Sequence, residues 1–252
     1  MDFIKFLGTA GARVVVAKQL RASGGLWLSL DGTNILLDPG PGSLVYCLKA
    51  RPKLDPTTLD GIVLSHKHLD HAADINVMME AMTVGGKERR GVVLAPRDAW
   101  SGDDPVIYRY VRPYVASRQV LRAKGKYRIG RIGISAPLKH IHGVETYGLI
   151  FKAKGCRVAY ITDTRFFPAL LKNYKCDVVI VSLLSTQPTP FDHLCVGDVK
   201  KIVSALKPRV TILTHFGLWM IRAKPWLVAE KLTAELGQRV IAAADGWAFK
   251  FD

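Results

Sequence analysis

The sequence predicts a layered α/β fold, and three observations carry that expectation. Apolar segments of strand length come first around hairpin signals and then alternate with helical segments. The 252 residues are 49% hydrophobic and 23% charged, the composition of a globular chain long enough to bury a large core. No repeat, low-complexity tract or proline-rich linker divides the chain, so one domain over 1–252 is expected.

The elements follow in order. Phe3 to Leu7 reads as a first strand, followed by a loop carrying Gly8 and Gly11. Leu26–Leu30 and Ile35–Leu37 flank Asp31-Gly32-Thr33-Asn34, and Asp-Gly between apolar runs predicts a hairpin. Asp38-Pro39-Gly40-Pro41-Gly42 then stops the sheet, and a helix is expected from Ser43 to Ala50. Ile62–Leu64 is a short buried strand leading into Ser65-His66-Lys67-His68-Leu69-Asp70-His71, and Ala72–Met82 has helical composition. Further strands are expected at Val92–Leu94, Ile132–Ala136, Tyr147–Phe151, Arg157–Thr162, Val178–Leu184, Val210–Leu213 and Val240–Ala242. Helices are expected at Pro168–Asn173, Val199–Leu206 and Lys224–Leu236, the last stopped by Gly237.

Composition excludes several classes. No apolar run approaches the roughly 18 residues of a membrane span, so no membrane partner is expected. The start, MDFIKFLGTA, lacks the pattern of a secretion signal. Cys47, Cys156, Cys176 and Cys195 show no CxxC spacing, which fits neither a disulfide framework nor a thiolate zinc site and predicts a reducing cytoplasm. Thirty-six Lys and Arg against 21 Asp and Glu leave a net charge of +15. Between Tyr108 and Arg131 the segment 108–131 holds eight basic residues and no acidic one, interleaved with Tyr108, Tyr110, Tyr114 and Tyr127. Such a field attracts anionic partners, a nucleotide-type small molecule or a nucleic acid. It is equally the composition of a solvated face.

Three of the seven histidines fall within six residues as His-x-His-x-Asp-His. Imidazole and carboxylate are the side chains that bind zinc, iron and manganese at neutral pH. In an extended segment His66 and His68 share a side, and a turn into the helix brings Asp70 and His71 to a second point. One metal held by each pair would lie a few ångströms from the other. Four ligands do not complete two sites. Further candidates stand near the ends of later strands: His140 or His142, Asp163 and His215.

His66-Lys67-His68-Leu69-Asp70-His71, a later histidine, Ile161-Thr162-Asp163-Thr164-Arg165 and Leu213-Thr214-His215-Phe216 together resemble the metallo-β-lactamase-fold hydrolases, and within them the ribonuclease Z-like phosphodiesterase branch. The resemblance also takes in Phe6-Leu7-Gly8-Thr9, Arg21-Ala22-Ser23 and Asp38-Pro39-Gly40-Pro41-Gly42. It implies a four-layer αββα sandwich with two divalent metal ions, zinc ahead of manganese or iron. It assigns His66, His68 and His142 to one metal, Asp70, His71 and His215 to the other, and Asp163 to both. His142 is preferred to His140 because Gly148 stands six residues after it, as the family pattern requires. His193, before the helix expected at Val199, matches a non-ligand histidine that assists phosphodiester cleavage; an exposed histidine near a helix start is the competing reading. Arg165 is a candidate phosphate clamp, with an ordinary surface ion pair equally in view. Asp70, His193 and Arg165 are thus the candidate catalytic residues, and Asp38 is expected to support the ligand loop.

Two adjacent metals lower the pKa of a bridging water to near neutrality and polarise the scissile bond. The chain carries no Gly-x-Ser-x-Gly element. Only 51 residues separate Asp163 from His215, too few for the cap of the β-CASP nucleases. Thirty-seven residues follow His215, too few for the helical substrate domain of a glyoxalase II. The 20 residues between His142 and Asp163 leave no room for the long tRNA arm of ribonuclease Z, so tRNA processing is not expected unless the basic segment replaces the arm; it could also form a lid near the pocket. The expected function is a cytoplasmic dinuclear-metal phosphodiesterase. A hydrolase of another ester, thioester or lactone is the first alternative. A nucleic-acid-binding module with a structural metal is the second, disfavoured because a structural zinc needs only four closed ligands. The oligomeric state, homodimer included, is left open.

Overall fold

In the computed structural model, which describes residues 1–11 and 13–251, two seven-stranded sheets lie face to face. The first sheet contains β1 (Phe3–Phe6), β2 (Leu26–Leu30), β3 (Thr33–Leu37), β4 (Gly61–Val63), β5 (Arg90–Ala95) and β6 (Val115–Val120). The second contains β7 (Gly125–Ile129), β8 (Ile132–Ala136), β9 (Leu149–Ala153), β10 (Cys156–Ile161), β11 (Val178–Ser182), β12 (Val210–Thr214) and β13 (Val240–Ala242). The last strand, β14 (Ala248–Lys250), returns to the first sheet beside β1, giving the order β14-β1-β2-β3-β4-β5-β6 against β13-β12-β11-β10-β9-β8-β7. The helices are α1 (Val14–Ala17), α2 (Ser43–Lys49), α3 (Leu69–Ala72), α4 (Ile75–Met82), α5 (Arg97–Trp100), α6 (Leu170–Asn173), α7 (Val196–Leu206), α8 (Leu218–Arg222) and α9 (Pro225–Leu236).

The strands alternate, but both faces are apolar, because each sheet is covered on both sides. Leu26, Leu28, Leu30, Ile35, Leu37, Val158, Tyr160, Val178 and Ile180 meet between the sheets. Their neighbours Trp27, Leu36 and Ile62 point outward onto Met78, Met79 and Met82 of α4. Ala159, Ile161, Val179 and Val181 point outward onto Val199, Ile202, Val203 and Leu206 of α7. Three apolar layers between four layers of secondary structure are the expected αββα sandwich.

The Asp-Gly hairpin forms as predicted, with Asp31 at φ 48° and Gly32 at φ 70°, the positive pair a two-residue turn of this hand requires. The expected helix over 72–82 is two helices. Asp74 interrupts it: its amide donates to the Pro39 carbonyl and its carboxylate accepts from the Leu44 amide. The segment 108–131, considered as a lid, instead supplies both edge strands on one side of the sandwich, β6 and β7. Tyr127 is tied into that turn, its hydroxyl accepting from the Arg122 amide and donating to the Val120 carbonyl.

Strands β3 to β6 are parallel, as are β10 to β13. Parallel strands send their carboxyl ends to one edge, where the loops that bind ligands gather. His66 follows β4, Asp163 follows β10 and His215 follows β12.

Candidate metal centre

Seven side chains converge at that edge. His66, His68 and His142 form one group, and Asp70, His71, Asp163 and His215 another, with the donor atoms of each group within 4.8 Å of one another. Oδ2 of Asp163 faces both groups. It lies 3.3 Å from His215 Nε2, 3.5 Å from His71 Nε2, 3.7 Å from His66 Nε2 and 3.9 Å from His142 Nε2. His68 and His142 meet through ring nitrogens 3.0 Å apart, and His71 and His215 through nitrogens 3.1 Å apart.

The ring orientations show which nitrogens point inward as lone pairs. His142 Nδ1 donates to the Asp192 carbonyl at 3.1 Å, which leaves Nε2 facing the centre. His71 Nδ1 donates to Asp38 at 2.9 Å, which does the same for its Nε2. Ser65 Oγ donates to Asp38 at 2.7 Å and receives His66 Nδ1 at 3.0 Å, so His66 Nε2 is buried with no hydrogen-bond partner among the described residues. Asp163 Oδ1 is likewise buried and unpartnered. Lone pairs crowded in this way repel unless a cation lies among them. Most of the spacings around Asp163 exceed hydrogen-bond length, yet they bracket the edge of about 3.4 Å in a tetrahedron with metal–ligand bonds of roughly 2.1 Å. The donor set fits a pair of divalent metals.

Protonation agrees with that reading. Burial opposes charge on His66 and His68 and lowers both. Burial also opposes charge on His71, but the Asp70 and Asp163 carboxylates outweigh it and hold this imidazole well above its ordinary value. Burial would raise Asp163; His215, His193 and His71 overcome it and keep the carboxyl well below the usual range. The cluster therefore favours a positive charge between its carboxylates, which bound metal supplies while displacing protons.

Asp38 organises the ligands, as expected. Its carboxylate accepts from the Ser65 amide, Ser65 Oγ, His71 Nδ1 and Tyr160 Oη. Gly40 makes this approach feasible: a Cβ there would sit 2.1 Å from the Asp70 carbonyl and 2.0 Å from that of Ser23. His140 lies outside the ligand group, its Nε2 bonded to Tyr174 Oη at 2.8 Å. Ser65, Tyr160 and Tyr174 escaped sequence reading, because their partners lie 27 to 122 residues away.

His193 stands over the centre. Its Nδ1 is 3.7 Å from Asp163 Oδ2, and its ring stacks on His215 with centroids 5.5 Å apart. Its side chain is 8% exposed, so it is not the surface histidine of the competing reading. Arg165 is at the rim, its Nε donating to Asp192 at 2.8 Å.

Residues 33–216 match the family model for the beta-lactamase superfamily domain. The chain belongs to this superfamily. Its members are metal-dependent hydrolases, the class the centre indicates. An uncharacterized protein of Methanocaldococcus jannaschii is 27% identical over 96% of this chain and 92% of its own length. The metallo-beta-lactamase fold protein YhfI from Bacillus subtilis superposes with a TM-score of 0.79 at 18% identity, covering 99% of this chain and all of that one. Human tRNase Z, short form, superposes with a TM-score of 0.71 at 14% identity, covering 99% of each chain. At these identities the two structures show the shared superfamily fold. No helix among the described residues is long and apolar enough to cross a membrane.

Proposed function

We propose that this superfamily member is a dinuclear-metal phosphodiesterase acting on a small anionic, nucleotide-type diester. The observation that carries the reading is the pairing of a complete seven-ligand centre with His193 3.7 Å from the shared carboxylate. His66, His68 and His142 would hold one metal, and Asp70, His71 and His215 the other, with Asp163 shared; zinc suits this imidazole-rich set. The bound pair supplies Lewis acidity and a nucleophile at neutral pH.

The chain's own residues do the rest. Asp38 holds His71 directly and His66 through Ser65, so ligand orientation is fixed before substrate arrives. Burial lowers His193 to about 4, so its ring is neutral at pH 7 and offers one N–H to a phosphoryl or departing oxygen. Arg165, steadied by Asp192, presents its terminal nitrogens to an anionic oxygen. The test is a panel of bis(4-nitrophenyl) phosphate, cyclic nucleotides, RNA, thioesters and lactones on protein of measured zinc content. Zinc-dependent turnover of the diesters alone is the expected result. Turnover confined to thioesters or lactones would overturn the phosphodiester assignment and leave the hydrolase.

A further inference from the structure

We infer that a recess beside His193 receives an aromatic ester group, so that the centre selects diesters bearing an aryl or nucleoside-like ring over small alkyl ones. This rests on the phosphodiesterase reading and adds the substrate class. The recess has a volume of about 280 Å³ and is lined by Arg165, Phe166, Pro188, Pro190, Phe191 and His193, among others. That size suits one ring system rather than a polymer. Because His193 forms part of its wall, a group filling the recess lies next to the reacting phosphorus.

The wall is built rather than incidental. Residues 186–193 leave and rejoin the fold through a closed neck, where the Leu184 amide donates to the Leu194 carbonyl and the Val196 amide to Ser185. At its end the His193 amide donates to the Phe191 carbonyl at 2.8 Å. This turn sets Phe191 and His193 side by side. Lys201 lies 4.7 Å above the Phe166 ring, a cation–π contact that orders this second aromatic wall. Arg165 supplies the charge that an ester phosphate requires at the mouth.

Exposure points the same way. Phe191 is 65% exposed, and the other large apolar side chains beside ligands are Leu69 at 74% and Ile141 at 40%. Leu69 stands between His68 and Asp70, and Ile141 precedes His142. Of these only Phe191 lines the recess, and an exposed aromatic ring there offers a stacking face to a ligand ring.

The test uses the zinc-loaded protein and isothermal titration with phenylphosphonate and methylphosphonate, whose binding does not depend on turnover. The wild type is expected to bind the phenyl compound at least tenfold more tightly. Phe191→Ala and Phe166→Ala should each reduce that preference below threefold with zinc content unchanged. Phe191→Leu should keep most of it, and Trp226→Ala, an exposed aromatic on α9, should leave it intact. Equal affinities in the wild type, or a preference that survives Phe191→Ala, would overturn the inference. Turnover of bis(4-nitrophenyl) phosphate is measured in parallel. Its absence alongside an intact phenyl preference removes the phosphodiesterase reading and keeps the recess.

Discussion

Five imidazoles place a ring nitrogen between 3.3 and 3.9 Å from one oxygen, Asp163 Oδ2. In the proposed dinuclear arrangement, removing that carboxylate would take a ligand from both metals at once. Asp163→Ala is therefore expected to fall from about two metal equivalents to less than one after dialysis, read by elemental analysis, with turnover lost. His193→Ala separates the two roles a histidine here can have: metal content should hold while turnover drops roughly 10²-fold, the scale of a lost hydrogen-bond donor to the transition state. Loss of metal instead would make His193 a ligand. His140 gives a pH prediction. Burial lowers its imidazole to about 4, below the unfolded value of roughly 6.5, so the unfolded chain binds the extra proton between these values. Stability from this group is complete above pH 6.5 and is lost as pH falls toward 4. Thermal unfolding of metal-free protein should show a steeper fall in Tm over that window for the wild type than for His140→Gln. The seven-residue cluster was legible in the sequence because residue type, spacing and position after strands agreed. The support from Ser65, Tyr160 and Tyr174 was not, because it comes from pleats and turns that only the folded sheets bring together.

At the scale of elements, the sequence exposed the buried strands and hid three of the four edge strands, β6, β7 and β14. β4, β10, β11 and β12 are apolar runs with turn signals on either side. β6 reads VASRQV, without the alternation of a half-buried strand, and β7 reads GKYRI, which alternates only over Lys126 to Ile129, so the basic character of the segment masked both strands. α7 was expected to begin at Val199 but starts at Val196, because Cys195 and Asp198 form a reciprocal cap in which cysteine replaces the usual hydroxyl. Gly148, which the spacing from His142 singled out, has a steric reason. A Cβ there would lie 2.1 Å from Tyr174 Oη and 2.4 Å from His140 Nε2, both on buried rings joined by a hydrogen bond. Gly148→Ala should destabilise by about 1–3 kcal/mol, the range for overpacking, seen as a lower denaturant midpoint. Gly143→Ala, with open space around its Cβ position, should have little effect.

For the whole molecule, the question is where the charge of +15 acts. Seven of the eight basic residues between Tyr108 and Arg131 are exposed, and five of them, Arg118, Arg122, Lys124, Lys126 and Arg128, run along β6, the turn and β7, the open edges of the two sheets. Unpaired edges invite pairing with another chain, and Lys and Arg along them oppose it by charge and by hydration. That role needs no ligand. A strand of RNA crossing the same edge would release counterions at each neutralised phosphate, and log affinity would fall against log salt by about 0.7 per contact. A small diester held at the centre by His193 and Arg165 makes few such contacts. Inhibition by a mononucleotide should therefore show a shallow salt slope that Arg118→Ala with Arg122→Ala barely changes. The same pair of changes should increase self-association in light scattering at low salt, where charge does most to keep the edges apart. A steep slope with RNA that flattens in the double variant would move the substrate from small molecule to polymer, and would make the edge strands its binding surface.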